Sequence, residues 1–379
     1  MAGIYVHIPF CKSRCIYCGF YSTTGLELRQ RYVDAVCKEA HSRLAGEPIN
    51  TIYLGGGTPS QLTIPQLKQI FDTVFNTYIY NKVEKEIEIT IECNPDDVTD
   101  EFSEGLKSLP VNRVSMGVQT FSDERLRFLH RRHTAAQAVE AVKRLRKAGI
   151  KNISIDLMYG FPGETLNDWQ RDIEAAIALN VEHLSAYCLM IEEGTPLYRM
   201  QTEPINEELE RKMYYTLIER LEAAGYEHYE ISNWSLSKRP LQTERESTRS
   251  YRSIHNSNYW NGTPYIGLGA AAHSYDINTR SWNVADINQY IEGIEQGKRL
   301  YEEETIDAET RYNDAITVAL RTKEGLDLSA LPDHQRQYCL ANAKRHLDTN
   351  LLKLSNDHLA LTKEGLFVSD MMMSDLMIV

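Results

Sequence analysis

The feature that most constrains the fold is a regular alternation of strand-like and helix-like segments from residue 3 to about residue 190. Apolar runs such as GIYVHI, TIYL and NISIDLMYG are each followed by a stretch of helical periodicity. Thr134 and Thr165 stand where helix N-caps are expected. Six such repeats predict an α/β protein with a parallel sheet that curls into a barrel or partial barrel. In such folds, functional residues lie at the carboxyl ends of the strands.

The third predicted strand, within residues 85–92, has a two-residue period. Its sequence, KEIEITIE, alternates polar and apolar side chains. This alternation predicts a strand with two different faces.

The chain changes character toward its C-terminus. From about residue 302 it becomes helical with short strands, and LLKLSNDHLALTKEGLFV indicates a hairpin with an Asn-Asp turn. These features predict a small winged-helix-like α+β module. We therefore expect a barrel at 1–235, a connecting region at 236–301 and the module at 302–379. Residues 236–253 are polar and predict a surface loop. The tail MMMSDLMIV is expected to pack against the body, with a contact to a partner or a membrane as the alternative.

Composition restricts the partners and the environment. The formal charge is −12, which disfavours non-specific binding to nucleic acid or anionic lipid. No apolar run approaches the roughly 18 residues of a membrane span, and the start MAGIYVHIPF lacks the features of a signal peptide. We expect a cytoplasmic protein with no nucleic-acid partner and no stable membrane insertion.

Three of the seven cysteines, Cys11, Cys15 and Cys18, share the segment CKSRCIYCGF, and the others are scattered. Three thiolates on one loop can ligate three irons of a 4Fe–4S cubane, and the absence of a nearby fourth cysteine leaves one iron open. Spacing alone also allows a zinc site completed by His7, or inert buried thiols.

The CxxxCxxC spacing, with Tyr17 before the last cysteine and a strand before the loop, resembles the radical S-adenosylmethionine (SAM) superfamily. The resemblance implies a partial (βα)6, TIM-like barrel, consistent with the six repeats. It also implies a 4Fe–4S cluster on Cys11, Cys15 and Cys18 whose open iron binds SAM. In that family an electron from the cluster cleaves SAM to a deoxyadenosyl radical.

Several polar residues and glycines follow the predicted strands. The glycines of LGGGTPS can let a ligand approach the backbone or can form a tight turn with positive φ. The polar side chains could each be structural, but together they lie where a barrel places its ligand groups, and buried Asp156 needs a partner or a ligand.

The segments YVHIPFC, GGGTPS, SMGVQTF and IDLMYGFPGET resemble the oxygen-independent coproporphyrinogen oxidase group over nearly the whole chain. The resemblance implies a HemN-type C-terminal domain at 302–379. It also implies that the following residues bind SAM: Tyr5, Tyr17, Gly56, Gly57, Thr58, Glu92, Gln119, Arg131 and Asp156.

Two departures separate this chain from the true oxidases of that group. Those enzymes carry a further cysteine where this chain has Phe20, and a longer segment before the first strand. Both departures resemble the other branch, the HemW-type haem chaperones, which are regarded as lacking oxidase activity. The segment HNSNYW matches the HNxxYW motif associated with haem binding in that branch. His255 is therefore a candidate haem contact and His273 a second one, although a histidine beside aromatic residues is more often structural.

The expected function is a chaperone that binds haem as cargo and transfers it to an acceptor apoprotein, with a respiratory protein as one candidate. The fold and cofactors would also suit an enzyme. Radical decarboxylation of coproporphyrinogen III to protoporphyrinogen IX, or radical chemistry on another substrate, remain alternatives. Arginines within 238–252 could meet haem propionates, and the branch implies a homodimer as a further trait. The sequence does not identify the electron donor.

Overall fold

The structure, a computed structural model, describes residues 2–43, 46–79, 87–236 and 250–378. Six strands alternate with helices in the first half of the chain, as predicted: β1 (Ala2–Ile8), β2 (Ile49–Gly56), β3 (Glu88–Cys93), β4 (Arg113–Gln119), β5 (Asn152–Tyr159) and β6 (His183–Cys188). Neighbouring strands in this run pair in parallel, in sequence order. The α/β prediction is confirmed, and the six strands form a partial barrel that extends at both edges.

Helices accompany these strands along the chain: α1 (Arg29–Ser42), α2 (Ile64–Val74), α3 (Asp100–Leu106), α4 (Asp123–Phe128), α5 (Ala135–Lys147), α6 (Leu166–Ala178), α7 (Pro196–Arg199) and α8 (Glu207–Ala223). Thr134 and Thr165 cap α5 and α6 with complete capping boxes. In each box the threonine hydroxyl accepts a hydrogen bond from the backbone N–H of the residue three positions later, Gln137 or Asp168. The side chain of that residue accepts in turn from the backbone N–H of the threonine. The N-caps predicted at Thr134 and Thr165 are therefore confirmed.

The faces of the central strands differ in chemistry. The outward face packs in the main core and is apolar, as with Ile52 and Leu54 of β2, which are fully buried. The inward face is polar, and its side chains contact one another across the lumen: Tyr5, Thr51, Tyr53, Glu92, Ser154, Asp156 and His183. Because barrel interiors are usually filled by Val, Ile and Leu, a polar lumen favours ligand binding.

Strand β3 shows how this arrangement arises from its sequence. Its alternation gives two different faces, as predicted, and both are buried. Ile89 and Ile91 join the apolar core, while Glu88 and Thr90 belong to the opposite face. The polar side chains of the period-two pattern therefore face the lumen and not the solvent.

Both edges of the barrel sheet are extended by later parts of the chain. The added strands are β7 (Tyr226–Glu230), β8 (Asn233–Leu236), β9 (Tyr265–Leu268), β10 (His273–Tyr275), β11 (Thr279–Asn283) and β12 (Tyr301–Thr305). Strand β9 pairs in parallel with β1, whereas β8 pairs antiparallel with β6. The region between includes α9 (Ile254–Trp260) and α10 (Ile287–Glu295). Much of the predicted connecting region therefore belongs to the barrel sheet, and the boundaries at 235 and 301 stay a prediction.

The C-terminal module has its own apolar core. Its elements are α11 (Ala308–Ala319), β13 (Leu326–Asp327), α12 (Asp333–Asp348), β14 (Leu352–Ser355), β15 (His358–Leu361), α13 (Lys363–Leu366) and α14 (Ser369–Leu376). Asn356 and Asp357 link β14 to β15 with φ of 49° and 62°, the backbone that a tight hairpin turn requires. The predicted hairpin is confirmed. In the tail, Met372, Met373 and Leu376 are buried in the module core, as expected.

Two further sequence expectations concern the surface. Most of the predicted surface loop at 236–253, including most of its arginines, lies outside the described residues. Among the helices that the structure describes, none is both long enough and apolar enough to cross a membrane.

Candidate functional site

The cysteine loop lies at the carboxyl end of β1, at the mouth of the lumen. Backbone hydrogen bonds hold its start, with the Cys11 N–H donating to the Thr23 carbonyl at 2.9 Å. Its centre is held by Ile16, whose N–H donates to Leu129 O at 3.3 Å and whose carbonyl accepts from Leu197 N at 2.9 Å. Ile16 is also buried in a small apolar cluster with these two leucines. One buried side chain thus anchors a loop whose three thiols stay partly exposed.

The chemistry of the thiols fits an iron–sulfur cluster. Burial, and in smaller part the charge of neighbouring thiols, raises the pKa of Cys11 and Cys18. Thiolates at Cys11 and Cys18 therefore need a strong compensating positive charge, which a cluster would supply. The Arg131 guanidinium, 3.7 Å from the Cys15 sulfur, adds to that compensation. Cys11, Cys15 and Cys18 would hold the cluster, and Phe20 is 70% exposed.

His7 is less suited to complete a zinc site. Its Nδ1 lies 3.0 Å from the Tyr5 hydroxyl and its Nε2 lies 3.0 Å from the Tyr21 carbonyl oxygen. Because both ring nitrogens already have partners, ligation of a metal would break one of these hydrogen bonds.

The glycines after β2 are explained by close packing. Gly56 has φ of 111°, and a Cβ there would lie 2.4 Å from the His7 ring. A Cβ on Gly57 would lie 2.7 Å from the Pro9 backbone. The tight-turn interpretation therefore accounts for Gly56, and the end of β1 packs directly on both residues. Thr58 follows and links two parts of the site, since its hydroxyl lies 3.6 Å from the Cys11 sulfur and accepts from Asn94 at 3.2 Å.

Glu92 is held in the upper lumen by two donors. The Tyr53 hydroxyl donates to one carboxylate oxygen at 2.7 Å, and the Gly56 N–H donates to the other at 3.1 Å. Burial raises the pKa of Glu92 to about 7 in spite of these bonds. Near neutral pH this carboxylate can therefore accept a hydrogen bond from a ligand or hold a proton.

Gln119 and Arg131 meet beneath the end of β4. Gln119 has a left-handed backbone, φ 69°, at an irregularity in the pairing of β4 with β5. This turn directs its amide back toward Gly117, whose added Cβ would meet the Gln119 Nε2 at 2.8 Å. Arg131 donates to the Gly117 carbonyl and, at 2.7 Å, to Asn94. A non-glycine residue in this conformation stores strain, which is common at ligand sites.

Asp156 lies on the inward face of β5. The hydroxyls of Ser185 and Ser115 hydrogen-bond its carboxylate, while burial raises its pKa. Sequence reasoning singled out Asp156 but missed Tyr53, Asn94 and the inward-facing, 43% exposed Tyr187. The two-residue strand period could have identified Tyr53 and Tyr187 as inward-facing.

The structure thus brings together the residues predicted for SAM around one mouth. A continuous chain of contacts runs from Cys11 through Thr58, Asn94 and Arg131 to Cys15. Tyr5 and Glu92 join through Tyr53, against which Tyr5 stacks at 6.2 Å. Tyr17 interacts electrostatically with Arg131 and the neighbouring thiols. These carboxylates, amides and hydroxyls are a donor and acceptor set that fits a zwitterionic amino acid carrying a ribose.

His255 lies at the opposite end of the lumen and is 1% exposed. Its Nδ1 is 2.8 Å from the Thr51 hydroxyl and its Nε2 is 2.9 Å from the Tyr259 hydroxyl. Its ring stacks on Tyr53 at 4.9 Å. His255 therefore offers no free nitrogen to an iron atom in this conformation. His273 is exposed on β10 and stacks on Trp282 at 5.8 Å.

A cleft of about 980 Å³ lies beside α9, between the barrel sheet and the C-terminal module. Tyr259 and Trp260 of the HNSNYW segment form part of its wall, and Ala315 and Val318 of α11 lie on the module side. The other aromatic and basic side chains that line it are Tyr229, Tyr265, Tyr275, Tyr312, Arg252, Arg280 and Arg311.

Comparison with known proteins identifies the domains. Residues 5–176 match the radical SAM superfamily, and residues 306–368 match the HemN C-terminal domain. Coproporphyrinogen III oxidase (HemN) from Escherichia coli, described as a radical SAM enzyme, shares the fold with a TM-score of 0.83. The match covers 99% of this chain and 90% of that chain at 20% identity.

Curated relatives identify the family within that superfamily. A protein named heme chaperone HemW from Bacillus subtilis (strain 168) is 35% identical over 342 residues, covering 86% of this chain and 85% of the relative. A protein of the same name from Lactococcus lactis subsp. lactis (strain IL1403) is 34% identical over 330 residues, covering 85% and 82%. The chain therefore belongs to the HemW family of the radical SAM superfamily.

Proposed function

We propose that this protein is a haem chaperone that binds haem in the cleft beside α9 and passes it to an acceptor apoprotein. Membership of the radical SAM superfamily implies a 4Fe–4S cluster and SAM. We assign the cluster to Cys11, Cys15 and Cys18, and SAM to the residues of the mouth. When bound, the cluster and SAM supply one-electron chemistry at the mouth.

The observation that carries the proposal is the composition of the cleft wall. The cleft has a volume of about 980 Å³, which is within the range of small-molecule sites, and its barrel side is rich in aromatic side chains. Tyr259 and Tyr265 pack edge to face at 4.8 Å, so they present a rigid surface. A flat, apolar porphyrin can stack on such a surface.

The basic residues suit the propionates of haem. Arg311 donates to the Ile277 carbonyl at 2.8 Å, a neutral partner, which leaves its charge available to a carboxylate. Arg280 is paired with Glu304 and Asp314, at 2.8 and 2.5 Å, so a propionate would have to compete with these carboxylates. We therefore assign the main propionate contact to Arg311.

His255 acts in this proposal from behind the cleft wall. Its ring nitrogen hydrogen-bonds the Tyr259 hydroxyl at 2.9 Å, which fixes the position of Tyr259. Direct ligation of iron by His255 would require α9 to shift and would break that hydrogen bond. We infer that substitution of His255 weakens haem binding through Tyr259.

The test is an anaerobic haem titration of the reconstituted protein and its Trp260→Ala variant. We expect near-stoichiometric binding by the wild type and about tenfold weaker binding by the variant, because one stacking surface is lost. Trp282→Ala is the matched control, because Trp282 of β11 does not line the cleft and stacks instead on His273 of β10. Unchanged binding in Trp260→Ala with weaker binding in Trp282→Ala would move haem to His273.

Transfer is tested by mixing the haem-loaded protein with an apoglobin and following the change in the haem spectrum. An anaerobic assay with coproporphyrinogen III, SAM and a reductant tests the alternative. Formation of protoporphyrinogen IX at catalytic rates would contradict the chaperone proposal in favour of the oxidase.

A further inference from the structure

The middle of the lumen contains polar groups that lack partners. Tyr53, Thr90, Arg113 and Asn152 are neighbours across β2, β3, β4 and β5, because each pairs with the next in the strand register. Thr90 Oγ1, Arg113 Nε and Asn152 Oδ1 are all buried without a hydrogen-bond partner. Three adjacent unsatisfied groups in one layer indicate a missing occupant, since buried polar groups are nearly always paired.

Arg113 is the most demanding member of this layer. It is 1% exposed and is among the largest fully buried side chains. Within the described residues no hydrogen bond or ion pair of its guanidinium reaches another protein atom. A buried guanidinium without an acceptor is strongly unfavourable, so an anion or ordered water is required.

The carboxylates that face the lumen accept hydrogen bonds from groups other than Arg113. Glu92 accepts from Tyr53 and Gly56. Glu88 accepts from two backbone N–H groups at the start of α9, at 3.0 and 3.1 Å. Asp156 is hydrogen-bonded by two serine hydroxyls. Glu92 and Asp156 lie near enough for the Arg113 charge to act on them, but within the described residues neither accepts a hydrogen bond from its guanidinium. What Arg113 lacks is therefore a hydrogen-bond acceptor.

We propose that this layer is a binding site for a small oxyanion of the carboxylate class, held by the Arg113 guanidinium. The Thr90 hydroxyl donates to a second oxygen of the anion, and a water bound with the anion donates to Asn152 Oδ1. The site is separate from the haem cleft. A free anion there goes beyond the proposed function, whereas occupation by SAM rests on the SAM assignment made in it.

The carboxylate can come from two sources. It can be a free anion such as formate, or the methionyl carboxylate of SAM, whose assigned residues Glu92 and Asp156 both lie within reach of the Arg113 charge. The shared chemistry is a carboxylate on Arg113, and competition between formate and SAM distinguishes the sources.

The experiment measures thermal unfolding of the reconstituted protein without SAM, in sodium formate and in sodium chloride of equal ionic strength. We expect formate, but not chloride, to raise the melting temperature saturably by several degrees, because only the folded protein binds it. Arg113→Gln should lose the formate-specific shift. Arg31→Gln is the matched control, because Arg31 is an exposed arginine paired with Glu295, and it should respond as the wild type does.

Repeating the measurement with SAM identifies the source. If the formate shift persists, the occupant is a free anion. If the shift disappears and Arg113→Gln binds SAM about tenfold more weakly in a binding titration, the occupant is the methionyl carboxylate.

Equal effects of formate and chloride on the wild type, together with unchanged SAM binding by Arg113→Gln, would overturn the proposal and leave water as the occupant. If Arg113→Gln does not fold, relaxation of ¹³C-labelled formate in the presence of wild-type protein detects the site without a variant. No broadening of the formate signal would then overturn the proposal.

Discussion

The two ends of the lumen are built from the same six strands but differ in how their polar groups are used. At the mouth, Arg131 contacts the Cys15 thiol and Glu92 accepts from Tyr53 and Gly56, yet the three thiols, Glu92 and Arg131 remain partly exposed. At the base, His255 and His183 are fully buried and have partners on both ring nitrogens. An inward-facing polar strand face can thus form an open site at one end and a closed seal at the other.

Electrostatics sharpens this comparison, since burial acts in opposite directions on acids and bases. At the mouth, burial raises the pKa of Glu92 to about 7. At the base, burial, assisted by the charge of Arg113, lowers the pKa of His255 to about 3. At both ends burial therefore favours the neutral form of the side chain. The contributions of the two ends to stability should, however, change with pH in opposite directions.

The largest expected effect is loss of the cluster from the mouth. In Cys15→Ala one of only three assigned ligands is missing, so iron content and the cluster absorption should fall to near zero after anaerobic reconstitution. Cys37→Ala, which removes a buried thiol on α1, should keep both. A complete 4Fe–4S spectrum from Cys15→Ala would refute the ligand assignment, while the base should stay folded in either variant.

The pH dependence of stability compares the two ends directly. Glu92 has a raised pKa, so its contribution is present below pH 4.5 and is lost as pH rises toward 7. His255 has a lowered pKa, so its contribution is present above pH 6.5 and is lost as pH falls toward 3. At about 1.4 kcal/mol per pKa unit, these shifts correspond to roughly 3 kcal/mol for Glu92 and roughly 5 kcal/mol for His255 in the free energy of unfolding.

Urea unfolding across this pH range measures both effects. Glu92→Gln should remove the loss between pH 4.5 and 7, and His255→Asn should remove the loss on acidification below pH 6.5. If the stability of both variants changes with pH as that of the wild type does, neither residue has a different pKa in the folded and unfolded states.

The smallest expected effect concerns backbone strain at the mouth. Gln119→Gly should stabilise the protein by about 0.5–1 kcal/mol, because glycine adopts φ of 69° without a Cβ penalty. The same change removes an amide assigned to SAM and should weaken SAM binding. Val118→Ala, a buried neighbour on β4, should instead lose stability. A destabilised Gln119→Gly would mean that the amide supports the fold more than the ligand.

Local patterns predicted the elements well, since strand period, N-cap threonines and the Asn-Asp turn act over a few residues. The mouth could also be predicted, because parallel strands bring their carboxyl ends together, and Glu92 and Gln119 each stand at a strand end. The contact of His255 with Thr51 could not be predicted, since the two residues are 204 positions apart in sequence. The cleft was missed for the same reason, because its walls come from α9 and α11.

The pairing of β1 with both β2 and β9 has a consequence for the order of folding. Gly3 pairs with Thr51 on one side and with Tyr265 on the other, so β1 lacks one neighbour until more than half of the chain has been synthesised. Such a long sequence separation makes that contact slow and late. The cysteine loop follows β1 directly, so a nascent chain would present its thiols before the sheet behind them is complete. Delivery of iron and sulfide is therefore best timed after translation has passed residue 268.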